Sequence, residues 1–170
     1  MNKNIQITSH SHPEFHSMFP EVLKELLIDL HQKFNPRRLE LLKQREERQI
    51  QYDQGEVPRY LAENQKNFST NNWKVANIPE VLKCRRVEIT GPVSSAKMVI
   101  NMLSRNDQGA RADMCMMDFE DSMMPNWNNV IQGISNAKHA VMGDLEFKTP
   151  QKNYAINPED MAYPMIRVRG

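Results

Sequence analysis

The chain has 170 residues, with 22 Lys plus Arg against 21 Asp plus Glu, a net charge of +1, and 39% hydrophobic against 25% charged residues. That balance describes an ordinary globular composition and supplies no electrostatic case for a nucleic-acid or anionic-membrane partner. Only Cys84 and Cys115 are present, which excludes a disulfide scaffold; no apolar run approaches the roughly 18 residues of a membrane span, and residues 1–6 lack the apolar core of a secretory signal, so a cytoplasmic location is expected.

Residues 1–19 are polar, with His10, His12 and His16 around Pro13, and hold no sustained period. They read as a solvated N-terminal arm, because three neighbouring histidines without closing partners do not make a metal site. From Pro20 onward Val22, Leu23, Leu26, Leu27, Leu30 and Phe34 recur at helical spacing, which predicts an amphipathic helix over 20–34. Asn35 followed by Pro36 reads as an N-cap and first helical residue, starting a second helix that runs to about Asp53. The alternating signs of Glu40, Lys43, Arg45, Glu46, Glu47 and Arg48 suit a solvated helix face rather than a nucleic-acid surface. Gly55 ends that helix. Pro58, a short helical piece at Tyr60 and Leu61, and the polar residues 64–72 make a linker. Trp73, Val75 and Ile78 are expected to pin this linker onto the C-terminal half of the chain. Residues 20–84 thus form a helical region with its linker.

From residue 85 to 170 the chain reads as strand, helix, strand, helix, strand. Val87 and Ile89 lead to Gly91-Pro92, then Ser94 or Ser95 caps a helix carrying Val99, Ile100 and Leu103. Met114 to Met117 is a short continuous apolar run, the mark of a strand buried on both faces of a parallel sheet. Pro125 opens a helix with Trp127, Val130, Ile131, Ile134 and Val141 directed inward and Gly143 at its end. After an irregular stretch with Tyr154 and Ile156, residues 165–170 form a third strand. Alternating strands and helices imply parallel strands with crossovers, in an open doubly wound sheet or the beginning of a barrel.

In such a fold chemistry sits at the C-terminal ends of strands. There lie Gly91-Pro92, the acidic run Asp118 to Ser122, and Arg167 with Arg169. Carboxylates beside a buried strand suit either a cation such as magnesium or the positive end of the following helix, and spacing does not separate the two. Arg167 and Arg169, two residues apart on a strand, point to one face, so periodicity does not separate them either. No nucleophile triad, phosphate loop or dinucleotide fingerprint is present. Cys115 lies mid-strand where a thiolate is disfavoured, and His139, on a helix, reads as a packed or exposed residue rather than a general base.

The strings Arg85 to Val93, Lys97 to Asn101, Asp118 to Ser122 with Pro125 and Trp127, and Arg167 to Gly170 are together similar to the A-type malate synthases, in order and in spacing. Phe34, Pro36, Arg37, Leu41 and Leu42 resemble that family's helical clasp. Residues 106–111 depart from the family as an expanded loop away from the chemistry. The resemblance implies an α/β chain: an N-terminal helical clasp followed by the first strands and helices of a TIM (β/α)8 barrel, incomplete here. It implies an enzyme of the glyoxylate cycle that condenses acetyl-CoA with glyoxylate and hydrolyses malyl-CoA to malate and CoA, with Mg2+ as cofactor. The family's catalytic arginine maps onto Arg167, and Glu120 and Asp121 onto acidic residues that meet the metal through bound water. The direct metal carboxylates and the catalytic aspartate map beyond Gly170. The 170-residue chain alone is therefore expected to be inactive and open to self-association. Two other readings are a related acyl-CoA lyase barrel, in which the contiguous Val87 to Val93 string is not expected, and a non-catalytic truncated interaction module.

Overall fold

The structure is a computed structural model that describes Ile5, Ile7, residues 12–59 and residues 74–169. It divides into two units, one drawn from residues 1–6 and 19–77, the other from residues 7–18 and 78–170. The expected short helical piece at Tyr60 and Leu61 and the linker at residues 64–72, together with His10 and Trp73, lie outside the described residues, as does Gly170.

The first unit is built on one helix, α2 (Glu21–Asp53), which comes after a short α1 (Phe15–Met18) that belongs to the second unit. The two helices expected from Asn35-Pro36 are therefore a single one, with Pro36 inside it. Proline lacks the N–H that would reach back one turn. Yet 15 helical residues precede it and 17 follow, so propagation on both sides outweighs one missing bond. Pairs three and four apart line the surface: Arg37 with Glu40, Lys43 with Glu47, and Gln49 donating to Asp53 at 2.8 Å. No residue of α2 is buried. Val75 and Ile78, expected to pin the linker, are exposed as well.

The second unit is a mixed α/β body around a three-stranded parallel sheet. Its elements are β1 (Glu88–Pro92), α3 (Ala96–Leu103), β2 (Met114–Asp118), α4 (Trp127–Met142), a hairpin of β3 (Glu146–Lys148) and β4 (Asn153–Ala155), and β5 (Tyr163–Arg167). The order is β1-β2-β5, both pairs parallel, so β2 is central as its apolar composition requires. Met114, Cys115 and Met117 are buried to 0% exposure, and burial alone pushes the Cys115 thiol up to about 12. The three strands do not close into a barrel. The stretch read as irregular contains the antiparallel hairpin β3-β4, closed by Thr149, whose Oγ1 both donates to Lys152 O and accepts from Lys152 N at 2.9 Å.

Both crossover helices begin on side-chain caps. Ser95 Oγ accepts the Met98 N–H at 3.4 Å, settling the cap between the two candidate serines, and Asn126 Oδ1 accepts the Asn129 N–H at 2.9 Å. Pro125 therefore precedes the cap of α4 instead of opening the helix. Gly143 ends α4 at φ 81°, the left-handed conformation that glycine adopts without strain. On α4, Ile131 is buried and Val130 and Ile134 pack against the core, but Val141 is 57% exposed and Trp127 40%. At the opposite end of the sheet, Arg105 and Arg111 both grip Asp160, at 2.6 and 3.1 Å, and hold its carboxyl down at about 2. The expanded loop at 106–111 is folded by Asn106, whose Oδ1 accepts the N–H groups of Gln108 and Ala110 at 3.0 Å.

The arm read as loose is in part docked. Phe15 is 2% exposed and meets the Trp127 ring edge-on at 6.1 Å, and Glu14 contacts Ser135, Lys138 and His139 of α4. Burying one phenylalanine is worth about 1.5–3 kcal/mol, and the Glu14 contacts add to it in holding a short segment that has no period of its own.

Candidate active site

Register decides what meets at the C-terminal edge of the sheet. Pro92 is the partner of Asp118, and Asp118 is the partner of Arg167, so the last residues of three parallel strands lie in one row. The ladder continues past them: Val93 N donates to Asp118 O at 3.3 Å and Phe119 N to Arg167 O at 3.1 Å. The chain after β2 must then turn sharply, and Asp118 makes the turn. Its Oδ1 accepts the Glu120 N–H at 2.8 Å and its Oδ2 the Ser122 N–H at 3.1 Å. Asp118 is 1% exposed. Burial pushes its carboxyl upward, but the hydrogen bonds from Glu120 and Ser122 and the Arg167 charge outweigh burial and hold it below the ordinary carboxylate range.

The loop so fixed turns its acids onto Arg167. The guanidinium lies 3.5 Å from Asp118 Oδ2, 2.9 Å from Asp121 Oδ2, and in contact with Glu120 Oε2. These bonds, that to Asp121 foremost, raise the Arg167 pKa further above its ordinary value. Three carboxylates around one cation give an arginine whose planar fork is already oriented. The buried one is held by backbone; Glu120 is partly exposed and Asp121 is 75% exposed at its side chain.

All three residues singled out in the sequence, Arg167, Glu120 and Asp121, therefore come together. Asp118 was legible only as part of an acidic run, although an aspartate ending a fully apolar strand was the signal that it is buried and bonded. Arg169 lies beyond the end of β5, is exposed, and makes no ion pair among the described residues, so the structure separates the two arginines where spacing did not. The helix-terminus account of the acidic run does not hold, since the first turn of α4 carries no acidic residue. Among the described residues no group of three or more His, Cys, Asp or Glu side chains is placed to hold a metal ion. With Asp118 occupied by backbone N–H groups and Glu120 and Asp121 by Arg167, these residues do not fit a directly bound Mg2+.

Comparison with known proteins shows what the chain is similar to. Residues 4–66 match the family described as "Malate synthase, N-terminal domain". The chain is 39% identical over 160 residues to the malate synthase of Myxococcus xanthus, covering 94% of this chain and 28% of that protein. It is 40% identical over 147 residues to malate synthase A of Escherichia coli, covering 86% and 26%, and 36% identical over 157 residues to a glyoxysomal malate synthase of Candida tropicalis, covering 92% and 27%. By sequence the chain is similar to malate synthases along most of its length, and its first third matches that family's N-terminal domain. It spans under a third of the length of these relatives.

Proposed function

We propose that this chain contributes Arg167 and its acidic loop to a malate synthase, which condenses acetyl-CoA with glyoxylate and water to give malate and CoA in the glyoxylate cycle. One observation carries the reading: in a chain similar to malate synthases, Arg167 stands at a strand end, oriented by buried Asp118, partly exposed Glu120 and exposed Asp121. Glyoxylate carries a carboxylate beside an aldehyde, two planar oxygen sites that suit the two-pronged donor face of a guanidinium. In the reading, the substrate takes the place of the exposed Asp121 contact. Attack by the acetyl-CoA enolate then places negative charge on the former aldehyde oxygen, which a positioned Arg167 stabilises.

In this reading the sheet β1-β2-β5 is the first part of a TIM barrel, and residues 20–84 are its helical clasp. The base that removes the methyl proton, and the direct ligands of the magnesium ion that the family resemblance implies, come from other residues. In this reading Glu120 and Asp121 would meet such an ion only through bound water. The composition supports no nucleic-acid partner, and no helix among the described residues is long and apolar enough to cross a membrane. We assign the cytoplasm on the two unpaired cysteines; imaging of a tagged chain in an organelle, as the name of the Candida relative suggests for that protein, would overturn the assignment.

The test is CoA thiol release by an enzyme that carries this sequence. Release from acetyl-CoA that requires glyoxylate, with malate as the product, supports the reading. Cleavage of malyl-CoA without condensation would place the chain with the acyl-CoA lyases, and no turnover of either kind would favour a non-catalytic module.

A further inference from the structure

The sheet unit holds a second charged cluster that the proposed chemistry does not use. His139, in the last turn of α4, is bracketed by two carboxylates: its Nε2 is 2.7 Å from Glu14 Oε1 and its Nδ1 is 2.8 Å from Asp144 Oδ1. Ionised carboxylates only accept hydrogen bonds, so both ring nitrogens must carry hydrogen. A neutral ring would oppose a bare lone pair to one of those oxygens. The geometry is that of an imidazolium.

The groups facing His139 favour that state. From the N-terminal segment come Glu14 and His12, whose Nδ1 accepts the Glu14 N–H at 3.2 Å. From α4 come Lys138, 3.6 Å from Glu14 Oε2, and Ser135, whose hydroxyl donates to the same oxygen at 3.3 Å. Asp144 lies just past the helix, and Glu146 of β3 lines the same cavity. Glu146 is itself paired with Lys148 at 3.1 Å, so the carboxylates that act on the ring are Glu14 and Asp144, against Lys138, and the carbonyl end of α4 adds its dipole. Glu14, then Asp144, raise the His139 pKa above its ordinary 6.5 against the opposing effect of burial, while His139 lowers that of Glu14. Glu14 directly precedes Phe15, the buried residue of α1 that rests against Trp127.

We propose that residues 12–18 form a proton-operated latch, in which protonated His139 clamps Glu14 and Asp144, and loss of that proton releases Phe15 from α4. A histidine with a raised folded pKa contributes stability in full below its unfolded value and loses it as pH rises through the folded one. Glu14, lowered, contributes above its unfolded value and loses its part as pH falls. The latch is therefore closed in mildly acidic solution and opens toward alkaline pH.

Trp127 is the built-in reporter. In the full chain with Trp73→Phe, Trp127 emission is followed from about pH 5 to pH 9, a range that brackets histidine titration, and the His139 ring is followed by NMR. Emission should step at a midpoint above 6.5 that coincides with the ring titration. Glu14→Gln and Asp144→Asn should each lower the midpoint by about one pH unit, the usual effect of removing a close opposite charge, and His139→Gln should abolish the step. Flat emission in the parent, or a step that survives His139→Gln with unchanged circular dichroism, overturns the latch. If His139→Gln does not fold, Asp144→Asn decides, because Asp144 is exposed: an unshifted midpoint overturns the proposal.

Discussion

Arg167 and Arg169 carry the same charge two residues apart, and among the described residues only Arg167 is surrounded by carboxylates. In an intact enzyme containing this sequence, Arg167→Lys keeps the charge but loses the planar fork. Turnover should fall by about 10²-fold or more, together with glyoxylate affinity, while Arg169→Lys should leave kcat near normal. Steady-state kinetics of the pair checks this, and the reverse pattern would move the assignment to Arg169. Asp118→Asn tests the support beneath Arg167. An amide there must turn its NH2 toward the N–H of either Glu120 or Ser122, an opposed pair in a buried place, so denaturant titration should show a loss of about 1–3 kcal/mol at neutral pH. The lowered Asp118 pKa sets the sign with pH: its contribution is present above the unfolded value of about 3.9 and disappears as pH falls through the folded one. The gap between parent and variant should therefore narrow in strong acid. The acidic run and the arginine pair could be read from the sequence because a strand end is where such groups gather, while the choice of Arg167, Glu120 and Asp121 among them came from the family resemblance. The buried partner could not be assigned, because pairing across β2 and β5 depends on register, which no single strand encodes.

Glycine to alanine inside a helix ordinarily stabilises by about 1 kcal/mol, and Gly133 of α4 reverses that expectation. A Cβ there would lie 2.7 Å from Val93 Cγ1 and 2.9 Å from Phe119 Cε1, so α4 approaches the loop ends of β1 and β2 closely only because the side chain is absent. Gly133→Ala should lower the melting temperature, with a cost of about 1–3 kcal/mol typical of an overfilled core. Pro36 is the opposite case. Nothing of α2 is buried, and Pro36→Ala restores a hydrogen bond, so helical circular dichroism should rise and α2 should gain up to about 3 kcal/mol. The central strand and its crossover helices were legible because Met114 to Met117 is uninterrupted and the helix stripes are long. The single helix through Pro36 was not, since Asn-Pro is also the strongest local signal for a start. The hairpin β3-β4 was missed for a related reason: Glu146–Lys148 and Asn153–Ala155 are three residues each, too short for alternation to register.

At the scale of the molecule, the 170-residue polypeptide brings one cation and an acidic loop to the strand ends, and no metal-binding group among its described residues. Expressed alone it should release no CoA from acetyl-CoA and glyoxylate above a protein-free control; turnover would mean that the base and metal ligands lie within it. The same polypeptide has a physical liability. Among the described residues β1 and β5 are both sheet edges, with unpaired backbone groups on their outer sides. Beside β5, Phe119, Val130, Ile134, Val141, Ile166 and Val168 line an apolar groove that Lys138 and Arg169 also border, and Val168 is 73% exposed. An open edge next to an apolar groove favours pairing between copies, since strand addition satisfies the edge while the groove is removed from water. Sedimentation velocity of the isolated polypeptide should therefore show association that grows with concentration. Val168→Lys with Ile166→Glu should reduce it without unfolding the sheet, because both side chains are exposed. A monodisperse parent with a sharp two-state melt would instead mean that the second unit is self-sufficient with three strands, and that its open edge is protected.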